Sequence, residues 1–141
     1  MRIIIILIVF FFSTTITVFS QQIGFVKSGS HSLKLLKENN RFSLTYSDIL
    51  SSHEVLTENT FHFTFKESIY SIIADGFKKN RSHQIIIKAG DETIVKFEYH
   101  QINGQSLVKI RQNNLLLNTF GSSAFFKKDE IDTLFGNSFK G

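Results

Sequence analysis

The sequence predicts an α+β domain: a largely antiparallel sheet of four to six strands, one main amphipathic helix packed on it, and one or two short helices. Three observations carry that prediction. Residues 64–80 place Ile69, Ile72, Ile73 and Phe77 on one face at helical spacing. Residues 41–46 and 93–102 alternate apolar and polar side chains, the period of a half-buried strand. Asn103-Gly104 follows the second run, and this dipeptide favours a type I′ hairpin turn because both residues accept positive φ.

The chain opens on a segment with a different character. Arg2 precedes an unbroken apolar run over residues 3–12, after which Ser13, Thr14, Thr15 and Thr17 lower the hydrophobicity. That pattern reads as a secretory signal peptide over residues 1–20, cleaved before Gln21. The run is short against the ~20 apolar residues of a membrane helix, and no later run is longer. Residues 21–141 are then a single exported domain, periplasmic or secreted, with no transmembrane segment after cleavage. Cysteine is absent, which excludes a cysteine-linked lipid anchor, disulfides and thiolate zinc sites. Such a domain must stand on its hydrophobic core, a habit of bacterial envelope proteins. The net charge is +4, or +3 without Arg2. That is too mild to call for nucleic acid.

The elements follow in order. Residues 21–32 form a short strand or an ordered lead-in. Residues 33–40 admit two readings. As a helix, the preferred one, Ser30 or Ser32 caps the start, Leu33 and Leu36 face inward, and Asn39-Asn40 stops it. As a hairpin arm, Asn39-Asn40 is the turn; Leu33 stands opposite Tyr46, Leu35 opposite Leu44 and Glu38 opposite Arg41. Residues 41–46 form a half-buried strand with Phe42, Leu44 and Tyr46 on one face. A looser stretch over 47–59 precedes alternation through Phe61 and Phe63, which leads into the main helix.

That helix has readable ends. Thr64 and Glu67 have the spacing of a capping box, and Phe65 extends the apolar face. Lys78 and Lys79 suit the negative end of the helix dipole, and Asn80 suits a left-handed stop. Gly76 reads as a flaw of about 1 kcal/mol against alanine. Beyond it, residues 84–88 form an apolar strand and Gly90-Asp91 a turn. The Asn103-Gly104 hairpin predicts Ile102 opposite Gln105, Tyr99 opposite Val108, Glu98 opposite Lys109 and Phe97 opposite Ile110. Asn113-Asn114 turns the chain into residues 115–120. Residues 128–135 make a short helix: Asp129 and Glu130 start it, Ile131, Leu134 and Phe135 face inward, and Gly136 closes it. Phe61, Phe63, Phe65, Phe77, Phe97 and Phe120 are expected in the core; Phe125, Phe126 and Phe139 have no evident place. No internal repeat is legible.

Chemistry is sparse. There is no glycine-rich phosphate loop and no nucleophile elbow, and no cofactor is implied. Ser106 and Lys109 match a Ser-x-x-Lys string, but on a strand they point to opposite faces. His31, His53, His62, His83 and His100 have no metal-binding spacing, so no catalytic or metal residue is assigned. The basic residues are the candidate binding set. Lys78, Lys79, Arg81 and Lys88 form the densest patch, while Lys96, Lys109 and Arg111 share one meander face with Glu98. Asn80-Arg81-Ser82 fits an N-glycosylation acceptor string.

Several apolar spacings recur together over residues 33–99. They are the helix reading of 33–40, the aromatic strand through Phe42, Leu44 and Tyr46, and Phe65-x-x-Ser68-Ile69-x-x-Ile72-Ile73. Residues 85–87 and 94–95 close the set as a hairpin. In this combination the stretch resembles the short secretin/TonB N-terminal domain of the bacterial envelope. The resemblance implies a periplasmic module that docks envelope proteins and has no catalytic residues. The sequence therefore favours a small exported non-enzymatic protein-interaction module. A binder of an anionic ligand or surface through the basic sheet face is the alternative, and a small enzyme with a site assembled from distant residues is the third reading.

Overall fold

Two antiparallel four-stranded meanders, each followed by a helix, make up the chain. The computed structural model describes residues 20–50 and 57–137; the expected signal segment apart from Ser20, together with His53 and Phe139, lies outside the described residues. The first unit holds β1 (Ser20–Ser28), β2 (His31–Glu38), β3 (Arg41–Asp48), β4 (Thr57–Phe63) and α1 (Lys66–Phe77). The second holds β5 (His83–Ala89), β6 (Thr93–Ile102), β7 (Gln105–Asn114), β8 (Thr119–Lys127) and α2 (Lys128–Leu134). Strand order is sequential in both sheets. Strands take 61% of the described residues and helices 17%, so the fold is β-rich and the expected α+β domain built on one main helix is overturned.

The largest single correction is at residues 33–40, which form strand β2 and not a helix. The pairing is the one the hairpin reading gives: Leu33 with Tyr46, Leu35 with Leu44 and Glu38 with Arg41. Asn39 takes φ 44° at the turn, a conformation asparagine tolerates better than most residues. The apolar positions of this segment satisfy both periods, and the long-range partner in β3 decides between them. The first helix required by the secretin/TonB resemblance is thus a strand here. β3 is also more buried than a one-sided strand, with Ser43, Thr45 and Ser47 on its outer face shielded as fully as Leu44 and Tyr46 on its inner one.

The second hairpin forms in the expected register: Ile102 with Gln105, Tyr99 with Val108, Glu98 with Lys109 and Phe97 with Ile110. Asn103 and Gly104 both take positive φ there. The two hairpins match. One spacing separates Leu33 from Phe97, Leu35 from Tyr99, Leu44 from Val108, Tyr46 from Ile110 and the turn residue Asn39 from Asn103. All eight strand positions are fully buried. The structure therefore contains a ββββα unit twice, a repeat that among the paired positions keeps residue identity only at the turn, Asn39 and Asn103.

Inner faces of both sheets form one core, in which the Phe61 and Phe97 rings meet edge-on at 6.5 Å. The helices cross over. α1 leaves the first sheet and docks on the second, where the Tyr99 hydroxyl donates to the Ile73 carbonyl at 2.6 Å and Phe77 meets the Tyr99 ring. α2 leaves the second sheet and packs chiefly on β1, where a side chain at Gly24 would collide with the Leu134 carbonyl. Tyr70 of α1 donates to Asp132 of α2 at 2.7 Å. Among the described residues, every element and every core residue lies between Ser20 and Asn137, so a chain starting at Ser20 keeps that core.

The ends of α1 differ from expectation. Phe65 is its N-cap residue with no side-chain capping bond, so the Thr64/Glu67 box does not form. Phe65 itself is 70% exposed. The helix stops at Lys78, and Asn80 does not adopt the left-handed conformation. Gly76 is a requirement and no flaw, because a Cβ there would stand 2.0 Å from Cζ of Tyr99. α2 forms as expected, with Ile131, Leu134 and Phe135 buried and Gly136 at φ 75° beyond it.

Candidate functional site

Strand alternation puts Val95, Phe97 and Tyr99 inward, so their neighbours in β6 face out, and cross-strand pairing extends that outer face over the whole second sheet. The rows can be named across β5, β6, β7 and β8. The first is Lys88, Ile94, Asn113 and Phe120; the second is Ile86, Lys96, Arg111 and Ser122. A third runs Gln84, Glu98, Lys109 and Phe125. A fourth row runs His100, Leu107 and Lys127, so five lysines and arginines share this face with one carboxylate.

Glu98 engages much of that charge. It lies 3.1 Å from Arg111, 3.9 Å from Lys109 and 3.8 Å from His100. Lys109 also sits 5.0 Å over the Phe125 ring, and His100 meets the same ring edge-on. Lys88 pairs with Glu92 at 3.5 Å. Lys96 makes no ion pair among the described residues. It lines a shallow depression of about 160 Å³ with Arg111, Asn113, Ile94 and Phe120. The Asn113 side-chain oxygen there is buried and has no hydrogen-bond partner. An unengaged ammonium, a guanidinium with donors to spare, and an exposed aromatic wall make a seat for an anionic group with an apolar neighbour.

The expected binding residues divide into two groups. Lys96, Lys109, Arg111 and Lys88 come together on the sheet face. Lys78, Lys79 and Arg81 belong to the connection between α1 and β5, at the opposite end of β5 from Lys88. Lys78 is tied to Asp75 at 3.0 Å, and no depression is built around these three.

Next to the sheet face is a feature that sequence reasoning does not anticipate. The turn between β7 and β8 is residues 115–118, and β7 continues through Asn113 and Asn114, where the sequence predicts a turn. Leu115, Leu116 and Leu117 are 55%, 76% and 72% exposed. Phe120, expected in the core, is 61% exposed and faces outward beside Asn113. Ile49 and Leu50, also exposed, lie alongside, since the Ile49 N–H donates to the Ser122 carbonyl at 2.8 Å. The available signal is a run of three leucines bracketed by asparagines; on apolar character alone such a run reads as the start of a strand.

Two of the described histidines pack against core or strand neighbours. His83 stacks on Tyr99 at 4.6 Å, and His62 lies 3.9 Å from Glu38. Among the described residues, no group of three or more His, Asp or Glu side chains is placed to hold a metal ion, and no helix is long and apolar enough to cross a membrane. All three tyrosines have phenols pushed up by burial. Tyr70 reaches about 12, with its bond to Asp132 adding to the burial, and Tyr46 and Tyr99 go higher. No family model, no curated protein and no solved structure matches this chain.

Proposed function

We propose that the chain is a non-catalytic, exported binding protein that takes an anionic ligand or surface on the outer face of its second sheet. The carrying observation is Lys96, unpaired beside Arg111, Asn113 and Phe120 in a depression open to solvent. The apolar run at residues 3–12 and the absence of cysteine support an exported location, and envelope partners fit that location. Charge–charge binding on an open face is screened by salt. Binding to an anionic polymer or vesicle is therefore expected to weaken steadily as salt rises, and to weaken further in Lys96→Glu. Binding indifferent to both would remove the proposal.

A further inference from the structure

We infer that residues 115–117, with Phe120, form a wedge that enters the apolar boundary of an anionic lipid bilayer. This deepens the proposed anionic-surface reading and rests on it for the adjoining charge.

The first support is backbone chemistry. A turn entering lipid must satisfy its own N–H groups, because no water is there to do so. Here all three leucine N–H groups are already satisfied. Leu115 donates to the Glu92 carbonyl at 3.0 Å, and Leu116 and Leu117 donate to the Asn114 side-chain oxygen at 3.0 and 2.9 Å. Asn114 is itself held, since its amide nitrogen donates to the Asp91 carbonyl at 3.0 Å. The three leucines thus sit on backbone whose N–H groups lose no partner on leaving water.

The second support is the position of charge. Phe120 stands in the row beside Lys96 and Arg111, so the cations sit just behind the apolar tip, at the level of headgroups when the tip is inserted. The nearest carboxylates do not oppose this. Asp91 pairs with Arg41 at 3.8 Å, and Glu92 with Lys88 at 3.5 Å. A hairpin turn of exposed aliphatic side chains suits a fluid apolar layer better than a shaped protein surface.

The chain has no tryptophan, so Leu116→Trp gives a single reporter at the tip. The chain starting at Ser20, which keeps that core, is mixed with phosphatidylglycerol/phosphatidylcholine vesicles, with phosphatidylcholine vesicles, or with soluble glycerol phosphate. Expected is a blue shift and quenching by brominated lipid with the anionic vesicles alone. Replacing exposed Leu116 and Leu117 with serine is expected to weaken vesicle sedimentation about tenfold or more per leucine. Circular dichroism checks that these surface variants remain folded. If the protein sediments with anionic vesicles while the reporter stays in water, insertion is overturned and the anionic-face reading stands. Binding of glycerol phosphate without vesicle binding likewise overturns insertion and leaves the anionic face standing. If Lys96→Glu leaves vesicle binding unchanged while Leu116→Ser/Leu117→Ser abolishes it, the tip inserts and the anionic-face reading falls. No binding to any of the three overturns both.

Discussion

On the outer face of the first sheet the side chains are matched to one another. Thr45 and Thr60 share a 2.7 Å hydrogen bond, Ser32 and Ser47 a 3.2 Å one, and Lys34 is tied to Glu58 at 2.9 Å. On the second sheet the outer face carries Lys88, Lys96, Lys109, Lys127 and Arg111 against one carboxylate, Glu98, and it exposes Phe120 as the first exposes Phe25. The two units share strand order, the two-residue central hairpin and inner-face spacing. The shared parts answer to the core, and a mismatch there would leave cavities or collisions. The outer faces are free of that constraint. The first ties neighbouring strands together with side-chain bonds, and the second carries the larger surplus of cations. Of two units sharing one fold, the half with the larger surplus of charge on its outer face is the one the proposed binding uses.

The largest expected effect breaks the join between the units. Asp48, at the end of β3, accepts from Ser122 of β8 at 3.1 Å, from the Leu50 N–H at 2.9 Å and from Asn59 at 2.6 Å. Asp48→Ala leaves the buried Ser122 N–H and two partly buried donors without a charged acceptor and is expected to cost about 3–5 kcal/mol in urea unfolding. A loss under about 1 kcal/mol would mean that Asp48 contributes little to the join and that the shared core and the other bonds between the units carry it.

Next comes the contact of α1 with the second sheet. Gly76→Ala forces a methyl into the Tyr99 ring and is expected to destabilise by about 1–3 kcal/mol, against the roughly 1 kcal/mol gain that helix propensity alone predicts. The sign of the change, read from the urea midpoint, separates the two.

Smaller effects distinguish two buried tyrosines, one in each sheet. Tyr99→Phe removes a bond to the Ile73 carbonyl and is expected to cost about 1 kcal/mol. Tyr46→Phe removes a hydroxyl without a partner and is expected to be neutral or slightly stabilising. Both phenols are held protonated by burial, above an unfolded value of about 10. A raised phenol contributes stability fully below that value and loses it as pH rises, because the unfolded chain ionises first. Stability is expected to be flat through mildly alkaline pH and to fall above about pH 10. Absorbance titration should show no tyrosinate in the folded protein where free tyrosine is half ionised.

Much of the second hairpin is legible in the sequence because Asn103-Gly104 fixes both turn type and register, and β6 alternates without a break. The first hairpin is less so, since Leu33, Leu35 and Leu36 fit a helix as well as a strand and only pairing with β3 decides. Apolar character assigns Phe65 and Phe120 to the core, yet each lies on the outward side of its element. The repeat is hidden because it preserves burial alone, as in Leu33 against Phe97 or Tyr46 against Ile110. Of the site, Lys96, Lys109 and Arg111 on one face are readable from alternation. The depression with Asn113 and Phe120 is not, because it depends on how far β7 runs before turning.

The most direct measurement sets one charge reversal on each sheet side by side. Sedimentation with phosphatidylglycerol vesicles is measured for the chain from Ser20, for Lys96→Glu on the second sheet and for Lys34→Glu on the first. Lys96→Glu is expected to lose roughly tenfold in affinity, the equivalent of about 1.4 kcal/mol, while Lys34→Glu stays within about twofold. Equal losses from both, or none from Lys96→Glu, would contradict the assignment of binding to the second sheet.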